Sequence, residues 1–211
     1  LGLVFDPCPP YEIISTASMT ALELVRLKEV ENVLELYHNS HRFGTTMHLL
    51  SGRVYASPFV FFENLARYFR RRGLHRLSHS QQALYNILYQ FLREHHPDIL
   101  PLAAETLKFD YLRTERHRPL LPWMPGKLAK DYKHIWQRLL NNPDVLAGLN
   151  PATAELPRRE LAQNVRVAGF STEFVGFLRD GSLPARFIGN SVIIGEMIGD
   201  NLIYVNAKDR F

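Results

Sequence analysis

Along most of the chain, apolar residues return every three or four positions and polar residues fill the intervals. Leu24, Leu27, Val30, Leu34 and Tyr37 keep this spacing, while Glu23, Lys28, Glu31 and Glu35 occupy mostly other faces. The pattern is one stripe of an amphipathic helix, and the stripe is the side expected to be buried. Thr20 followed by Glu23 fits a capping box, in which hydroxyl and carboxylate satisfy orphan amides, so the helix is predicted to start near Ala21. Asn39 and Ser40 suit its end. Ahead of it, Pro9 and Pro10 fix φ and hold the preceding residues extended, which makes that segment a stiff spacer.

A short apolar segment, Thr45 to Leu50, follows and is expected to stop at Gly52. The next helix is the clearest: Ser57 is a good N-cap, Pro58 sits at the first helical position, and Gly73 supplies the stop. Its aromatic stripe of Phe61, Phe62, Leu65, Tyr68 and Phe69 reads as core. Ser78 and Gln81 form a second capping box, after which Leu84, Ile87, Leu88, Phe91 and Leu92 keep helical register up to Pro97. The short connection predicts antiparallel packing of this helix on Pro58 to Arg72. Asp98 begins a further helix through Leu102, Leu107 and Tyr111. The three prolines and glycine of Arg118 to Gly126 make an ordered loop, pinned by Trp123, and Lys127 to Leu140 resumes a helix that Pro143 closes.

After Pro151 the pattern shortens. Val165 to Phe170, Phe187 to Ile188, Val192 to Ile198 and Leu202 to Val205 are β-branched runs separated by glycine, asparagine and aspartate, with a hairpin turn at Ile198 to Leu202. The fold class is therefore mainly α: a helical bundle-like body with a small C-terminal β appendage, α+β overall. The organisation expected is a linker over residues 1–18, a helical domain over 19–150, and a β appendage over 151–211 that packs on the helices because it is too short for its own core.

Composition narrows the chemistry. The 211 residues are 46% hydrophobic and 22% charged, ordinary for a globular chain, and 25 Lys and Arg against 21 Asp and Glu leave a net charge of +4. Cys8 is the only cysteine, so no intramolecular disulfide forms and no cysteine cluster holds iron or zinc; a reducing cytoplasm is expected. No apolar run approaches the roughly 20 residues that span a bilayer, so no membrane contact is expected. Among the nine histidines, His75 and His79 straddle the predicted cap at Ser78, His95 and His96 point apart, and His38 and His41 have no carboxylate or cysteine nearby, so no metal site is expected. Phosphate-loop, dinucleotide and serine-elbow motifs are absent, and Cys8 lacks an activating partner, so no catalytic residue is assigned.

Charge distribution says more than net charge. No acidic residue lies between Glu63 and Glu94, yet Arg67, Arg70, Arg71, Arg72, Arg76 and Arg93 do, and Arg113, Arg116 and Arg118 form a second run. Arg70 to Arg72 complement the dipole of a last helical turn. The window is either a solvated face or an anion-binding surface, for which Arg67, Arg70, Arg71, Arg72 and Arg76 are the candidates, and nucleic acid bound through 67–76 and 113–118 is the rival reading of the whole chain.

One order of elements stands out: Gly2, Pro9-Pro10-Tyr11-Glu12, then Leu24, Leu27, Lys28 and Glu31, then Asn39-Ser40 with Arg42-Phe43, then Ser57-Pro58-Phe59 and Asp110-Tyr111. It resembles an uncharacterised domain appended to the C-terminus of cobalamin-binding radical-SAM proteins. His38 and His41 depart from that pattern, which expects an aromatic residue and a glycine there. The resemblance implies a helical accessory domain that shapes or closes the substrate side of an upstream barrel and catalyses nothing alone. Its implied partners are the radical-SAM and cobalamin-binding domains of the same polypeptide and a substrate of unknown identity. The iron-sulfur cluster, S-adenosylmethionine and cobalamin are implied for that parent protein and none for this segment. The absence of a methionine at Leu1 agrees with a piece of a longer chain. Tyr11, Glu12, Asn39 and Arg42 are the candidates for contact with substrate or barrel, or alternatively for structural salt-bridge and capping roles.

Overall fold

In a computed structural model, residues 2–115, 119–125, 141, 155, 157, 159–160, 165–180, 191–198 and 201–207 are described. Helix α1 (Ala21–Leu34) starts where the capping box places it: Glu23 N donates to Thr20 Oγ1 at 3.3 Å and Thr20 N to Glu23 Oε2 at 2.7 Å. Its buried line is Val30 and Val33 rather than the full stripe that the spacing predicts, since Leu27 stays 40% exposed. The cause is the position of α3 (Pro58–Arg71), which lies along the second half of α1, where Arg70 reaches Glu29. The first turns of α1 instead meet a two-stranded antiparallel ribbon, β1 (Val4–Phe5) and β2 (Ile13–Ser15), with Phe5 opposite Ile13. The spacer expected before α1 is thus a ribbon, turning at a cis Pro9–Pro10 peptide and at Tyr11, whose φ is 56°.

From Leu34 the helix widens into a π turn, Glu35–Asn39, before the chain reverses at His41. His41 has φ 56°, the left-handed region that glycine enters freely and other residues seldom adopt. Helix α2 (Gly44–Leu49) then runs on into a second π turn, Leu50–Val54, through Gly52. Gly52 does not stop it: its backbone is not left-handed, and the turn closes instead with Tyr55 N donating to Leu50 O at 3.0 Å. In α3, Ser57 Oγ accepts from Val60 N at 3.3 Å and Pro58 opens the helix, as expected. The aromatic stripe is buried throughout, including Phe61, Leu65 and Phe69 at 0% exposure. The chief helical partner of α3 is α1, not the sequence neighbour that the short connection suggests. Helix α4 (Gln81–His95) is capped by Ser80, whose Oγ accepts from Ala83 N at 3.2 Å, and not by Ser78. A capping hydroxyl must stand directly before the first helical residue, and only Ser80 does.

By its contacts the chain divides into two compact units, Leu1–Leu84 and Tyr85–Phe211, with the division inside α4. In the second unit, a short 3-10 turn (Pro97–Ile99) leads into α5 (Leu100–Thr114), which is buried on every face from Leu102 to Leu112. Trp123 pins its loop as expected, stacking on Tyr89 at 4.1 Å and donating from Nε1 to Asn86 Oδ1 at 2.6 Å. Strands β3 (Val165–Phe170), β4 (Ser191–Ile198) and β5 (Asn201–Ala207) form an antiparallel sheet in that order, and Ile198 pairs with Asn201 as the hairpin reading requires. Helix α6 (Thr172–Asp180) was not expected. Its apolar residues Phe174, Val175 and Phe177 are buried, with Phe174 against Phe109 of α5 at 5.5 Å. The predicted helix over Lys127 to Leu140 and strand over Phe187 to Ile188 lie outside the described residues. The chain is mainly α-helical with small antiparallel sheets.

Gly73, at φ 67°, closes α3 with its N donating to Arg70 O at 3.1 Å, and nothing stands within 4 Å of the place a Cβ would take. A substitution there meets only conformational strain. Gly73→Ala is therefore expected to cost about 1 kcal/mol in urea unfolding, while Gly73→Asn keeps most of the stability because asparagine tolerates the left-handed region.

Candidate functional site

The four residues proposed to touch substrate or barrel have local surroundings. Tyr11 is 61% exposed at the ribbon turn, its N donating to Cys8 O at 2.9 Å. Glu12 forms an ion pair with Lys28 of α1, which ties the ribbon to the helix. Asn39, in the first π turn, donates from Nδ2 to Glu35 Oε1 at 2.6 Å, and Arg42 is half-buried just past the reversal at His41. Within the chain Glu12 thus makes a salt bridge, and Asn39 makes a side-chain hydrogen bond one turn back along its own helical segment.

The arginine window is less bare in space than in sequence. Arg67 reaches Glu63 at 3.4 Å, Arg70 reaches Glu29 at 3.2 Å, and Arg72 lies over the Tyr68 ring at 4.7 Å, while Arg71 and Arg76 are exposed. Arg67 and Arg70 also line a cleft of about 160 Å³ between α1 and α3, together with Arg26, Glu29, Glu63, Val30 and Ala66. Three guanidinium groups and two carboxylates therefore share one site. Sequence reasoning missed Arg26 and Glu29 because they come from another helix; their spacing of three on α1, and Glu63, Arg67 and Arg70 on one face of α3, are the signals that could have found them. Arg116 and Arg118 of the second basic run lie outside the described residues.

Behind the cleft the histidines have structural partners. The His75 ring spans from Asn32 Oδ1 to Ala66 O, each at 3.1 Å, and His79 Nε2 donates to Leu74 O at 2.8 Å. Both rings border Phe69, at 5.5 and 5.8 Å. Among the described residues no group of three or more His, Cys, Asp and Glu side chains is placed to hold a metal ion.

The second unit holds a buried ionisable cluster that the sequence did not disclose. Glu105, Lys108 and Asp110 of α5 are 7%, 1% and 0% exposed. The Glu105 carboxylate accepts from Ser171 N at 2.6 Å and also from the Ser171 hydroxyl, whose oxygen in turn accepts from Phe174 N at 3.1 Å. Glu105 thereby fixes the N-terminus of α6 onto α5. Burial pushes its carboxyl pKa up, the Ser171 hydrogen bonds and Lys108 pulling partly the other way. Lys108 stands over the Phe170 ring at 4.5 Å, and burial pulls its ammonium down to about 8, against an upward pull from Glu105.

The folded pKa of Lys108 is thus depressed below that of the unfolded chain. At pH values below 8 both states carry the proton and the desolvation penalty is fully present; between about 8 and 10.5 the unfolded chain holds a proton that the folded chain has released. Stability should rise with pH across that window. The expected gain is on the order of 3 kcal/mol, and Lys108→Met should remove the slope, as measured by urea unfolding at pH 7, 9 and 10.

No curated protein and no solved structure matches the chain. The family described as protein of unknown function (DUF4080) matches residues 1–182, from the ribbon through α6 and just beyond. With most of its length covered by that one match, the chain belongs to the DUF4080 family.

Proposed function

We propose that this chain is a C-terminal accessory domain of a radical-SAM iron-sulfur enzyme and that it docks on the substrate side of the upstream barrel. The enzyme class comes from the resemblance carried by Pro9 to Glu12, Asn39 to Phe43 and Ser57 to Phe59. The observation that carries the docking reading is the apolar surface at the ribbon and the first turns of α1. Val4, Phe5, Ile13, Leu22 and Val25 are 52%, 51%, 39%, 72% and 52% exposed. Large apolar side chains gathered in this way mark a surface that another body covers. Of the predicted stripe in these turns Leu27 is 40% exposed, and Leu22 and Val25 add apolar surface on a neighbouring face that α3 does not cover.

The cofactors of such an enzyme belong to its other domains. Cluster ligation there uses three cysteines, and this chain has only Cys8, which is exposed. The part left to this chain is coverage: a barrel that generates radical intermediates needs its open face shielded from water and side reactions. Nucleic-acid binding through the arginines draws less support, because Glu29 and Glu63 already engage two of them.

The reading frame ahead of Leu1 is expected to encode a Cys-x-x-x-Cys-x-x-Cys segment, and its absence would end the radical-SAM assignment. In the full-length parent, the double variant Phe5→Asp, Val25→Asp should speed limited proteolysis between barrel and accessory domain and expand the small-angle scattering profile. The same pair in the isolated chain should change unfolding by no more than about 0.5 kcal/mol per exposed site. Unchanged proteolysis and scattering in the parent would remove the docking role.

A further inference from the structure

The cleft between α1 and α3 is independent of the docking surface and has a composition of its own. Its floor is apolar and small, Val30 and Ala66 being 9% and 3% exposed. Its walls carry both signs of charge, Arg26 and Glu29 from α1 and Glu63, Arg67 and Arg70 from α3. Of the two ion pairs in these walls, Arg70 to Glu29 crosses from α3 to α1 at 3.2 Å and Arg67 to Glu63 lies within α3 at 3.4 Å, each a single contact, and Arg26 makes no ion pair among the described residues. A guanidinium has five N–H donors in a planar fork, so each of these arginines keeps donors to offer.

We propose that this cleft binds a small zwitterion of the α-amino-acid type, its carboxylate held by Arg26 and Arg67 and its ammonium by Glu63 and Glu29. The balance of charge selects this class. A compact dianion such as phosphate faces two carboxylates in the same walls, and a simple amine faces three guanidinium groups. A ligand with one charge of each sign satisfies both sets, since charge-assisted hydrogen bonds form at both of its ends. The floor suits one short aliphatic side chain, and a cleft of about 160 Å³ leaves room for little more.

The ion pairs present without ligand also make the site discriminating. A ligand carboxylate that takes a donor from Arg67 weakens its bond to Glu63, and the ligand ammonium restores a partner to that glutamate. A carboxylate without an ammonium cannot do so and leaves Glu63 less satisfied than before. Such a penalty rejects a half-ligand more strongly than its own missing contact would, because an unmatched charged group remains.

The test is a titration of the isotope-labelled full chain, followed through its backbone amide resonances, with L-alanine, propionate, ethylamine and inorganic phosphate in turn. L-alanine is expected to give saturable shifts confined to residues around 26–30 and 63–70, with a dissociation constant on the order of 1 mM. Propionate and ethylamine should each bind ~10-fold more weakly or not at all. Arg26→Gln, at an exposed position, should weaken L-alanine by ~10-fold while leaving the spectrum of the free protein dispersed. Glu63→Gln should bring propionate and L-alanine close to equal affinity, a change that loss of packing alone does not produce. Absence of saturable shifts with L-alanine overturns the proposal. So does phosphate or propionate binding as tightly as L-alanine to the unaltered chain, or unchanged L-alanine affinity in Arg26→Gln.

Discussion

One hydroxyl fixes much of the first unit. Tyr37 is fully buried in the π turn that follows α1, and its Oη donates to Leu84 O at 3.0 Å near the start of α4. Its ring meets Phe43 at 4.9 Å and Phe69 of α3 edge-on at 6.1 Å, so one side chain joins the end of α1, the reversal after it, α3 and α4. Burial raises the hydroxyl pKa well above the usual tyrosine range, and the group stays neutral and must donate. A buried hydroxyl left without an acceptor costs roughly 1–3 kcal/mol, which gives the carbonyl of Leu84 little freedom to be elsewhere.

The second unit is organised by a helix that has no outside. Because α5 is surrounded from Leu102 to Leu112, its charged residues have to be satisfied by groups brought from elsewhere. Glu105 finds them in the backbone and hydroxyl of Ser171, and in doing so determines where α6 begins. On the far end of the same helix, Thr114 Oγ1 donates to Asp110 O at 3.0 Å and receives the hydroxyl of Tyr85 at 3.2 Å. Tyr111 donates to Pro119 O at 3.1 Å, which ties the proline-rich loop to the helix that precedes it. Polar contacts here set positions that apolar packing alone leaves loose.

Electrostatics in the first unit follow a different rule. The long interval without acidic residues suggests a strong positive face, but α1 and α3 each supply one glutamate to it, and two of the arginines are thereby turned inward to a shared cleft. Pairs of this kind add little to stability, three of their four side chains being about half exposed. Their effect is on recognition: they change a site suited to polyanions into one in which both signs of charge compete for any ligand.

Local chemistry carried the sequence reading where it succeeded. The capping box of Thr20 and Glu23, the Ser57-Pro58 start, the Gly73 stop, the aromatic stripe of α3 and the hairpin between β4 and β5 depend on residues within a few positions of each other, so their physics is complete in one dimension. The failures have one cause as well. Whether Leu27 or Val33 is buried depends on where α3 crosses α1, and helix α6 depends on Glu105, sixty-six residues earlier, reaching its first turn. Arg26 and Glu29 acquire meaning only beside Glu63 and Arg67. The sequence by itself determined a mainly helical chain, its helix starts and its lack of a cysteine cluster. Tertiary structure alone decided which faces are covered, which charges meet and which apolar surface is left open, because those outcomes require groups distant in the chain to share the same space.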